Sequence, residues 1–448
     1  MSVEVPYLQL HFDVNGTMIL QDKAIRKNDV KQILKEEFAK RAVGRNDNGT
    51  FVWNGNIDWE TWEENYDPEA GDLTYAEFVK KHLKDEDKQR CYENFIDSPE
   101  MAAFRPVIDD LYEKSRVPDD GTENEDQHYY ILPSFFQLLN HLIENERKFN
   151  IILRSYGSEV RLGKLREELN SFFSGYHPRF KVAFSETNST TDSSDSGSGR
   201  GSGSSSTAGY NAYDDRKASS NVFRRLSSKR RISAIIMAAR DPSELDVLAN
   251  AQLHRRLENH RHIGILHRDE EGAVLSLGTA NRPPTATDWC DTHTFDIPPG
   301  QYEDTRDGRA FYAKQKEENP DIINVFEGFE AIYRRFGEAT EVGETIAIRD
   351  DYPWWKTNHF ASTAGKPHLI NPMDDHVHPI FFDDNIKAAH GQSHIIDVLD
   401  IHNKTNIPFK EANDKYVVAA HPLRALVDVN YYVNALQTCE ENRRRTLV

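Results

Sequence analysis

The chain has 448 residues, which is enough for two or three domains with a sizeable core, and its hydrophobic fraction of 38% is low for a compact protein of this length. Its formal net charge of −18 at pH 7 opposes non-specific binding to nucleic acid and to anionic membranes, and neither is expected as a partner. The three cysteines form no CxxC pair, which argues against a zinc site or a disulfide framework and favours a reducing compartment. No secretory signal and no run with the length of a membrane span is predicted, so we expect a cytoplasmic protein.

The first predicted strand ends in a polar segment. An apolar run over residues 8–12 leads into Asp13, which is followed by Val14-Asn15-Gly16-Thr17. A carboxylate at the end of a buried strand is costly unless it is paired, hydrogen-bonded or bound to a metal, and this favours a functional site. The alternative at this point is an ordinary strand that ends in an Asn-Gly turn.

Residues 25–130 are predicted to form a mostly helical insertion. Asn28 and Asp29 form a plausible helix cap, and the apolar residues from 30 to 42 recur at helical spacing. The segment 53–56, with the sequence Trp-Asn-Gly-Asn, predicts a hairpin turn. The tryptophans of this region are interpreted as a small core, with substrate contact as the alternative, and they are Trp53, Trp59 and Trp62.

An α/β unit is predicted after this insertion. Ser134 begins an apolar helix, and the apolar run that follows, residues 149–157, contains Ser155 near its end and leads into a further predicted helix over 158–173. Open α/β sheets bind their ligands at the carboxyl ends of the strands, so Ser155 is a candidate site residue.

The chain is rich in Ser, Gly, Thr and Asp from residue 187 to about 220 and then becomes basic. The segment 187–232 is predicted to be a disordered loop, because the low-complexity part cannot bury enough apolar surface to order itself. Ser227 and Ser233 lie two positions beyond arginines, as in the sites of basophilic protein kinases, and a protein kinase is a candidate partner there. A nuclear-localisation patch, which would make the location nuclear, and a merely solvated basic loop are the alternatives.

The remaining chain is predicted to hold an insertion and the second part of an α/β core. A helix over 243–260 and a hairpin with its turn at 270–272 are expected in the insertion. A helix over 324–336, a strand over 344–351, a strand that begins at 378 and ends in Asp383-Asp384, and helices over 422–444 follow. The predicted boundaries are 1–24, 131–186 and 320–448 for the core, 25–130 for a helical cap, 187–232 for the loop and 233–319 for the insertion.

Three predicted strands thus end in Asp13, in Ser155 and in the pair Asp383-Asp384. The carboxyl ends of parallel strands meet at one edge of a sheet, where clustered carboxylates repel each other unless a hard cation such as Mg²⁺ neutralises them. A carboxylate beside Mg²⁺ can attack a phosphoryl group, and a lysine and a hydroxyl can hold the phosphoryl oxygens. The lysine proposed for this role is Lys366, within Gly365-Lys366-Pro367.

These residues resemble, in this order, the motifs of the haloacid dehalogenase (HAD) superfamily of aspartate-nucleophile phosphohydrolases. The first motif, DxDx(T/V), matches residues 13–17 except at position 15. The second is a strand ending in Ser155, the third is Lys366, and the fourth is a strand ending in Asp383 and Asp384. The resemblance covers residues 6–24, 131–186 and 320–425, and it implies an α/β fold with a Rossmannoid parallel sheet, into which a helical cap is inserted after the first motif.

The resemblance also implies roles for the individual residues. Asp13 would be the nucleophile and a Mg²⁺ ligand, residue 15 would bind the metal through its backbone carbonyl, and Asp383 or Asp384 would complete the metal site. Ser155 and Lys366, with Thr17, would bind the phosphoryl group of a phosphorylated small molecule or protein. Lys356 is the rival for the lysine, but it lacks the Gly-Lys-Pro setting.

Position 15 departs from the family pattern. The family's phosphatases use an aspartate there as the general acid and base, and Asn15 can do neither. General acid–base catalysis contributes on the order of 10²- to 10⁴-fold. The alternative to an active phosphohydrolase or phosphotransferase is therefore a weak or inactive HAD-like protein that binds a phosphorylated ligand or a protein partner.

Overall fold

The computed structural model describes most of the chain outside its low-complexity region. The described residues are 5–20, 30–116 without 64, 83 and 84, 131–156, 263–278, 323–446 without 342 and 344, and the single positions 128, 165, 168, 169, 172, 177, 180 and 317. The predicted loop 187–232 with Ser227, the adjacent Ser233 and the predicted helix 243–260 lie outside the described residues, as does most of the predicted helix 158–173.

The described residues form both strands and helices. The strands are β1 Tyr7–Asp13, β2 Val43–Asp47, β3 Thr50–Trp53, β4 Leu73–Thr74, β5 Phe149–Ser155, β6 Ile263–Asp269, β7 Gly272–Gly278, β8 Ile323–Glu327, β9 Ile346–Arg349, β10 Lys366–Ile370, β11 Val377–Asp383, β12 Ile396–Asp400, β13 Thr405–Asn406 and β14 Val417–Ala419. The helices are α1 Val30–Arg41, α2 Tyr75–His82, α3 Asp85–Ile96, α4 Arg105–Ser115, α5 Pro133–Glu144, α6 Phe329–Glu341, α7 Tyr352–Thr357, α8 Phe409–Ala412, α9 Pro422–Val427 and α10 Tyr431–Thr446.

A mostly parallel sheet forms the centre of the protein. Its eight strands lie in the order β14-β11-β1-β5-β9-β6-β7-β8. The pairs β6–β7 and β7–β8 are antiparallel, and the other neighbours pair in parallel. This arrangement confirms the predicted α/β class with a mainly parallel sheet.

β1 is an interior strand of this sheet, the third from the β14 edge, and both of its faces are covered. Phe12 stacks on Phe382 and meets the edges of Phe135 on α5 and Tyr432 on α10. Helix α6 packs against β1 and β5. A strand covered on both faces is expected to be buried along its length, as residues 8–13 are, including the polar Gln9 and His11. Because β5 and β11 flank β1 and the chain continues from them toward opposite edges, the carboxyl end of β1 lies at a switch point of the strand order, where α/β sheets bind ligands.

A second sheet, which the sequence did not predict, lies beside β11. Strand β10 pairs in parallel with β12, and β12 pairs with the antiparallel β13. Phe381 of β11 belongs to the apolar cluster that contains Ile370, Ile396 and Val398 of the second sheet. This sheet begins with Lys366, so it fixes the position of the candidate catalytic lysine.

The region predicted as a helical cap contains α1 to α4 and a small antiparallel sheet in the order β3-β2-β4. The predicted hairpin turn at 53–56 is wrong, because the chain turns between β2 and β3 at Asn48 and Gly49. Both of these residues have positive φ, +50° and +86°, as a two-residue hairpin turn of this kind requires. Trp59 and Trp62 pack against Phe38, which agrees with their interpretation as core residues.

Two further elements differ from expectation. Residues 323–327 form strand β8 instead of the start of a helix, because Gly328, with φ of +82°, separates this segment from α6. The predicted hairpin around 270–272 is present as β6 and β7, but it extends the central sheet through the parallel pair β6–β9. Within the described part of the chain, no helix combines the length and apolar character needed to cross a membrane.

Candidate metal and phosphoryl site

Three carboxylates meet at the carboxyl ends of two neighbouring strands, β1 and β11. β1 and β11 run in register, with Phe12 opposite Phe382, so Asp13 and Asp383 end the two strands side by side. One side-chain oxygen from each of Asp13, Asp383 and Asp384 lies within 4.8 Å of the others. Asp13 and Asp383 are buried, and Asp384 is partly buried. The predicted convergence of these three acids is therefore present in the structure.

Lys366 lies between two of these acids. Its buried Nζ donates to Asp13 Oδ1 at 2.5 Å and to Asp383 Oδ2 at 2.7 Å. It also lies 5.1 Å from the centre of the Tyr156 ring. A fully ionised site would hold three negative charges and one positive charge, so the lysine alone does not neutralise it.

Burial and mutual repulsion disfavour ionisation of the acids. Burial raises the pKa of Asp13 to about 7, the attraction of Lys366 opposes this shift, and the charge of Asp383 adds to it. The pKa of Asp384 is raised well above its usual range by burial and by the charges of Asp13 and Asp383. Burial lowers the pKa of Lys366, but attraction to Asp13 and Asp383 outweighs this effect and raises it overall, so the ammonium stays charged.

These donors fit Mg²⁺. Hard divalent cations prefer carboxylate and amide oxygens, and three carboxylates with a single ammonium leave a net negative charge for the cation to neutralise. The side-chain oxygen of Asn15 is buried and has no hydrogen-bond partner among the described residues. An unpartnered buried oxygen beside a cluster of carboxylates is the environment that a bound cation would complete.

The segment after Asp13 is shaped around Asp384. Gly16 has φ of +77°, and its N–H donates to the carbonyl of Ile19 at 2.8 Å. The backbone N–H of Asp384 donates to the Thr17 hydroxyl at 2.9 Å. Thr17 is fully buried. The structure thus places Thr17 against a candidate metal ligand, whereas the sequence predicted that it contacts the phosphoryl group.

A cleft of about 330 Å³ opens above these residues. It is lined by Asp13, Asn15, Ser155, Tyr156, Tyr352, Lys366, Asn385 and Ile395. Four predicted site residues, Asp13, Asn15, Ser155 and Lys366, therefore face one cavity. Tyr156 and Asn385 were not predicted as site residues, and no local pattern in the sequence marks them.

A buried ion pair beneath the cleft was also missed. Arg154, the residue before Ser155, donates from Nε to Asp350 Oδ2 at 3.0 Å and forms a second contact from Nη2 to Oδ1. The Asp350 N–H donates to the Ser155 carbonyl at 2.8 Å, so the pair also anchors the end of β5. An arginine inside the apolar run 149–155 was the signal that could have revealed it, since a buried charge requires a partner.

The predicted cap contacts the loop that follows Asp384 through Glu77. Its carboxylate accepts from Lys387 Nζ at 3.2 Å, lies 3.1 Å from His390 Nε2 and accepts from the Tyr66 hydroxyl at 2.9 Å. Burial opposes ionisation of Glu77, but the hydrogen bonds from Thr74, Tyr66 and Lys387 lower its pKa to about 2. These contacts connect residues 66 and 77 of the predicted cap with residues 387 and 390, which lie close in sequence to the candidate metal ligands Asp383 and Asp384.

Comparisons of the chain with protein-family models, with curated proteins and with solved structures find no match. The functional interpretation is therefore based on the site residues and on their geometry.

Proposed function

We propose that the protein is a Mg²⁺-dependent phosphohydrolase or phosphotransferase of the HAD type, with Asp13 as the nucleophile. The observation that carries this proposal is the position of Asp13. Its carboxylate ends β1, faces the cleft, lies 2.5 Å from the Lys366 ammonium and is grouped with Asp383 and Asp384. A site of this composition suits attack on a phosphoryl group, where negative charge develops on oxygens held by fixed positive groups.

Each residue has a defined task in this proposal. An oxygen of Asp13 attacks phosphorus, the bond from phosphorus to the leaving oxygen breaks, and the phosphoryl group is carried as an aspartyl-phosphate. Water or an acceptor hydroxyl then takes the phosphoryl group and regenerates the carboxylate. Lys366 neutralises charge on the phosphoryl oxygens, and the Ser155 hydroxyl donates a hydrogen bond to one of them.

Asp13 and Asp383 or Asp384, with the backbone carbonyl of residue 15, would hold Mg²⁺. When bound, the ion supplies positive charge for the transferring phosphoryl group.

The structure also favours a second candidate, a HAD-like protein that binds phosphorylated ligands and turns them over slowly or not at all. Among the described residues that line the cleft, Asp13 is the only carboxylate, so no second acid replaces the function lost at Asn15. Burial raises the pKa of Tyr156 well above its usual range, which makes its phenol a weak acid. Protonation of a poor leaving group is therefore the step that this site performs worst.

A phosphate-release assay distinguishes the two candidate functions. It is run with a panel of phosphomonoesters and Mg²⁺ on the wild type, Asp13→Asn and Asn15→Asp. Activity that Asp13→Asn abolishes supports the enzyme. An inactive wild type whose Asn15→Asp variant gains turnover favours the binding protein. Beryllium fluoride, which imitates a phosphoryl group on a carboxylate, should raise the melting temperature only together with Mg²⁺. Inactivity of all three proteins and no thermal shift would contradict both.

A further inference from the structure

We infer that two buried arginines, Arg154 and Arg268, are positioning residues that hold the backbone on either side of Lys366. The contacts of these two arginines are observed in the structure whatever the function is, but their importance for catalysis rests on the role proposed for Lys366. Arg268 Nη1 donates to the carbonyl oxygen of Gly365 at 2.7 Å, and Arg154 Nη1 donates to that of Pro367 at 3.1 Å. The residues before and after the lysine are thus each bound by a guanidinium from another strand.

Each arginine is oriented by a carboxylate of its own. Arg154 pairs with Asp350 through two nitrogens, and Arg268 Nη2 lies 2.8 Å from Asp397 Oδ2. All four side chains are buried. A buried ion pair is often no more stabilising than apolar side chains of the same volume, so stability alone is a weak reason for two such pairs here. A fixed position for the guanidinium groups, and hence for the Lys366 backbone, is the better explanation.

A chain of hydrogen bonds fixes Arg154 further. Arg154 Nη1 lies 3.2 Å from His11 Nδ1, and an arginine can only donate, so Nδ1 is the acceptor. The proton of His11 is therefore on Nε2, which donates to Gln9 Oε1 at 3.0 Å, and Gln9 Nε2 donates to Thr340 Oγ1 at 2.9 Å. Burial lowers the pKa of His11 well below its usual range, which keeps the ring neutral as this arrangement requires.

The Lys366 segment has little freedom of its own. Its N–H donates to the Ile395 carbonyl at 2.7 Å. A Cβ on residue 365 would lie 2.0 Å from that same carbonyl oxygen, so only glycine allows this approach. A lysine side chain has four rotatable bonds, and the position of its ammonium depends on where the backbone starts. Displacement of a catalytic group by about 1 Å can cost on the order of 10²-fold in rate.

The reactivity of Lys366 toward an amine reagent tests this inference without any need for activity. Trinitrobenzenesulfonate is the probe, the modified lysine is identified by mass spectrometry, and exposed Lys356 in the same molecule is the internal reference. Arg268→Lys and Arg154→Lys keep the charge but cannot reach the carboxylate and the carbonyl together. We expect the modification of Lys366, relative to Lys356, to accelerate about tenfold or more, as local opening becomes easier.

Arg147→Lys is the matched control, because Arg147 also binds a carboxylate, that of Glu440, and a backbone carbonyl, that of Pro6. It should leave the reactivity of Lys366 unchanged. For any phosphomonoester that is turned over, the two test variants should lower kcat and leave KM nearly unchanged.

Unchanged protection of Lys366 in folded Arg268→Lys and Arg154→Lys would overturn the inference. If Arg268→Lys does not fold, the double variant Arg268→Met with Asp397→Leu removes both charges together, and it should also expose Lys366. The protection of Lys366 is measured without substrate. An inactive wild type would therefore reject the proposed function, while the positioning role of Arg154 and Arg268 could still be tested.

Discussion

Gly16 and Asp384 approach so closely that no side chain fits at position 16. A Cβ on Gly16 would lie 2.3 Å from Asp384 Oδ2, and the φ of +77° at this residue is itself unfavourable for other residues. The neighbouring Thr17 hydroxyl accepts from the Asp384 N–H. The Gly-Thr pair after Asp13 therefore shapes the position of an acid that lies more than 360 residues later in the chain.

Gly16→Ala is expected to displace Asp384 and to weaken Mg²⁺ binding by about 10- to 100-fold, the usual effect of disturbing groups that support a metal ligand. Titration calorimetry with MgCl₂ measures this change. Gly49→Ala is the control, since Gly49 has a similar φ of +86° and a Cβ added there would meet no atom of the described residues within 4 Å. That variant should lose about 1–2 kcal/mol of stability through backbone strain and bind Mg²⁺ normally. Equal Mg²⁺ affinity in both variants would contradict the contact between Gly16 and Asp384.

Lys366→Met removes the common donor of Asp13 and Asp383. Without Mg²⁺ at neutral pH, we expect a loss of about 3–5 kcal/mol in the free energy of unfolding, because buried charge remains without its partner. Saturating Mg²⁺ should recover part of this loss. Denaturant titrations with and without MgCl₂ measure both effects, and Lys356→Met, which removes an exposed lysine, should change neither. A loss that is the same with and without Mg²⁺ would show that the metal and the lysine do not share these acids.

The raised pKa of Asp13 predicts opposite pH dependences for folding and for metal binding. The pKa is about 7 in the folded protein against a reference value of 3.8, so the folded state holds more protons between these values. The contribution of Asp13 to stability without metal therefore falls as the pH rises from about 4 to about 7. Mg²⁺ binds the deprotonated carboxylate, so its affinity should rise from about pH 6 to about pH 8.

Calorimetric Mg²⁺ titrations across this pH range check the prediction, and Asp13→Asn should abolish most of the pH dependence. An affinity that does not change with pH in the wild type would contradict it.

Glu77→Gln is expected to loosen the contact between the predicted cap and the loop after Asp384. The substitution removes the charge that Lys387 and His390 approach, while the shape of the side chain is kept. Faster hydrogen exchange in residues 385–392 is the expected result, and mass spectrometry measures it. Asp109→Asn, which breaks the exposed pair with Lys31 within the same region, should leave this exchange unchanged. Identical exchange in both variants would exclude a role for Glu77 in holding the loop.

Local sequence patterns predicted the strand ends of the site but not the contacts that support them. Asp13, Ser155 and Asp383 each follow an apolar run, and the parallel strands that these runs predict bring their ends together. Arg268 reaches Gly365 over 97 positions, and Arg154 reaches Pro367 over 213, and no periodicity encodes such contacts. The second sheet was missed for the same reason.

The hairpin turn illustrates a different limit of prediction. Both Asn48-Gly49 and Asn54-Gly55 have the sequence of a two-residue turn. The strand pairing selects Asn48-Gly49 as the turn, since β2 pairs with β3 on one side and with β4 on the other. Only the tertiary arrangement of this small sheet distinguishes the two candidates.

The most direct test of the central claim is a rapid-mixing measurement with p-nitrophenyl phosphate and Mg²⁺. Its leaving group departs without a proton, so the missing acid at Asn15 should not prevent phosphorylation of Asp13, whereas the later attack by water has no base and should be slow. We predict a burst of about one p-nitrophenolate per chain, followed by slow turnover, with hydroxylamine-sensitive phosphate on the peptide that contains Asp13. Asp13→Asn should lose both signals. Absence of the burst and of the label in the wild type with saturating Mg²⁺ would contradict the assignment of Asp13 as the nucleophile.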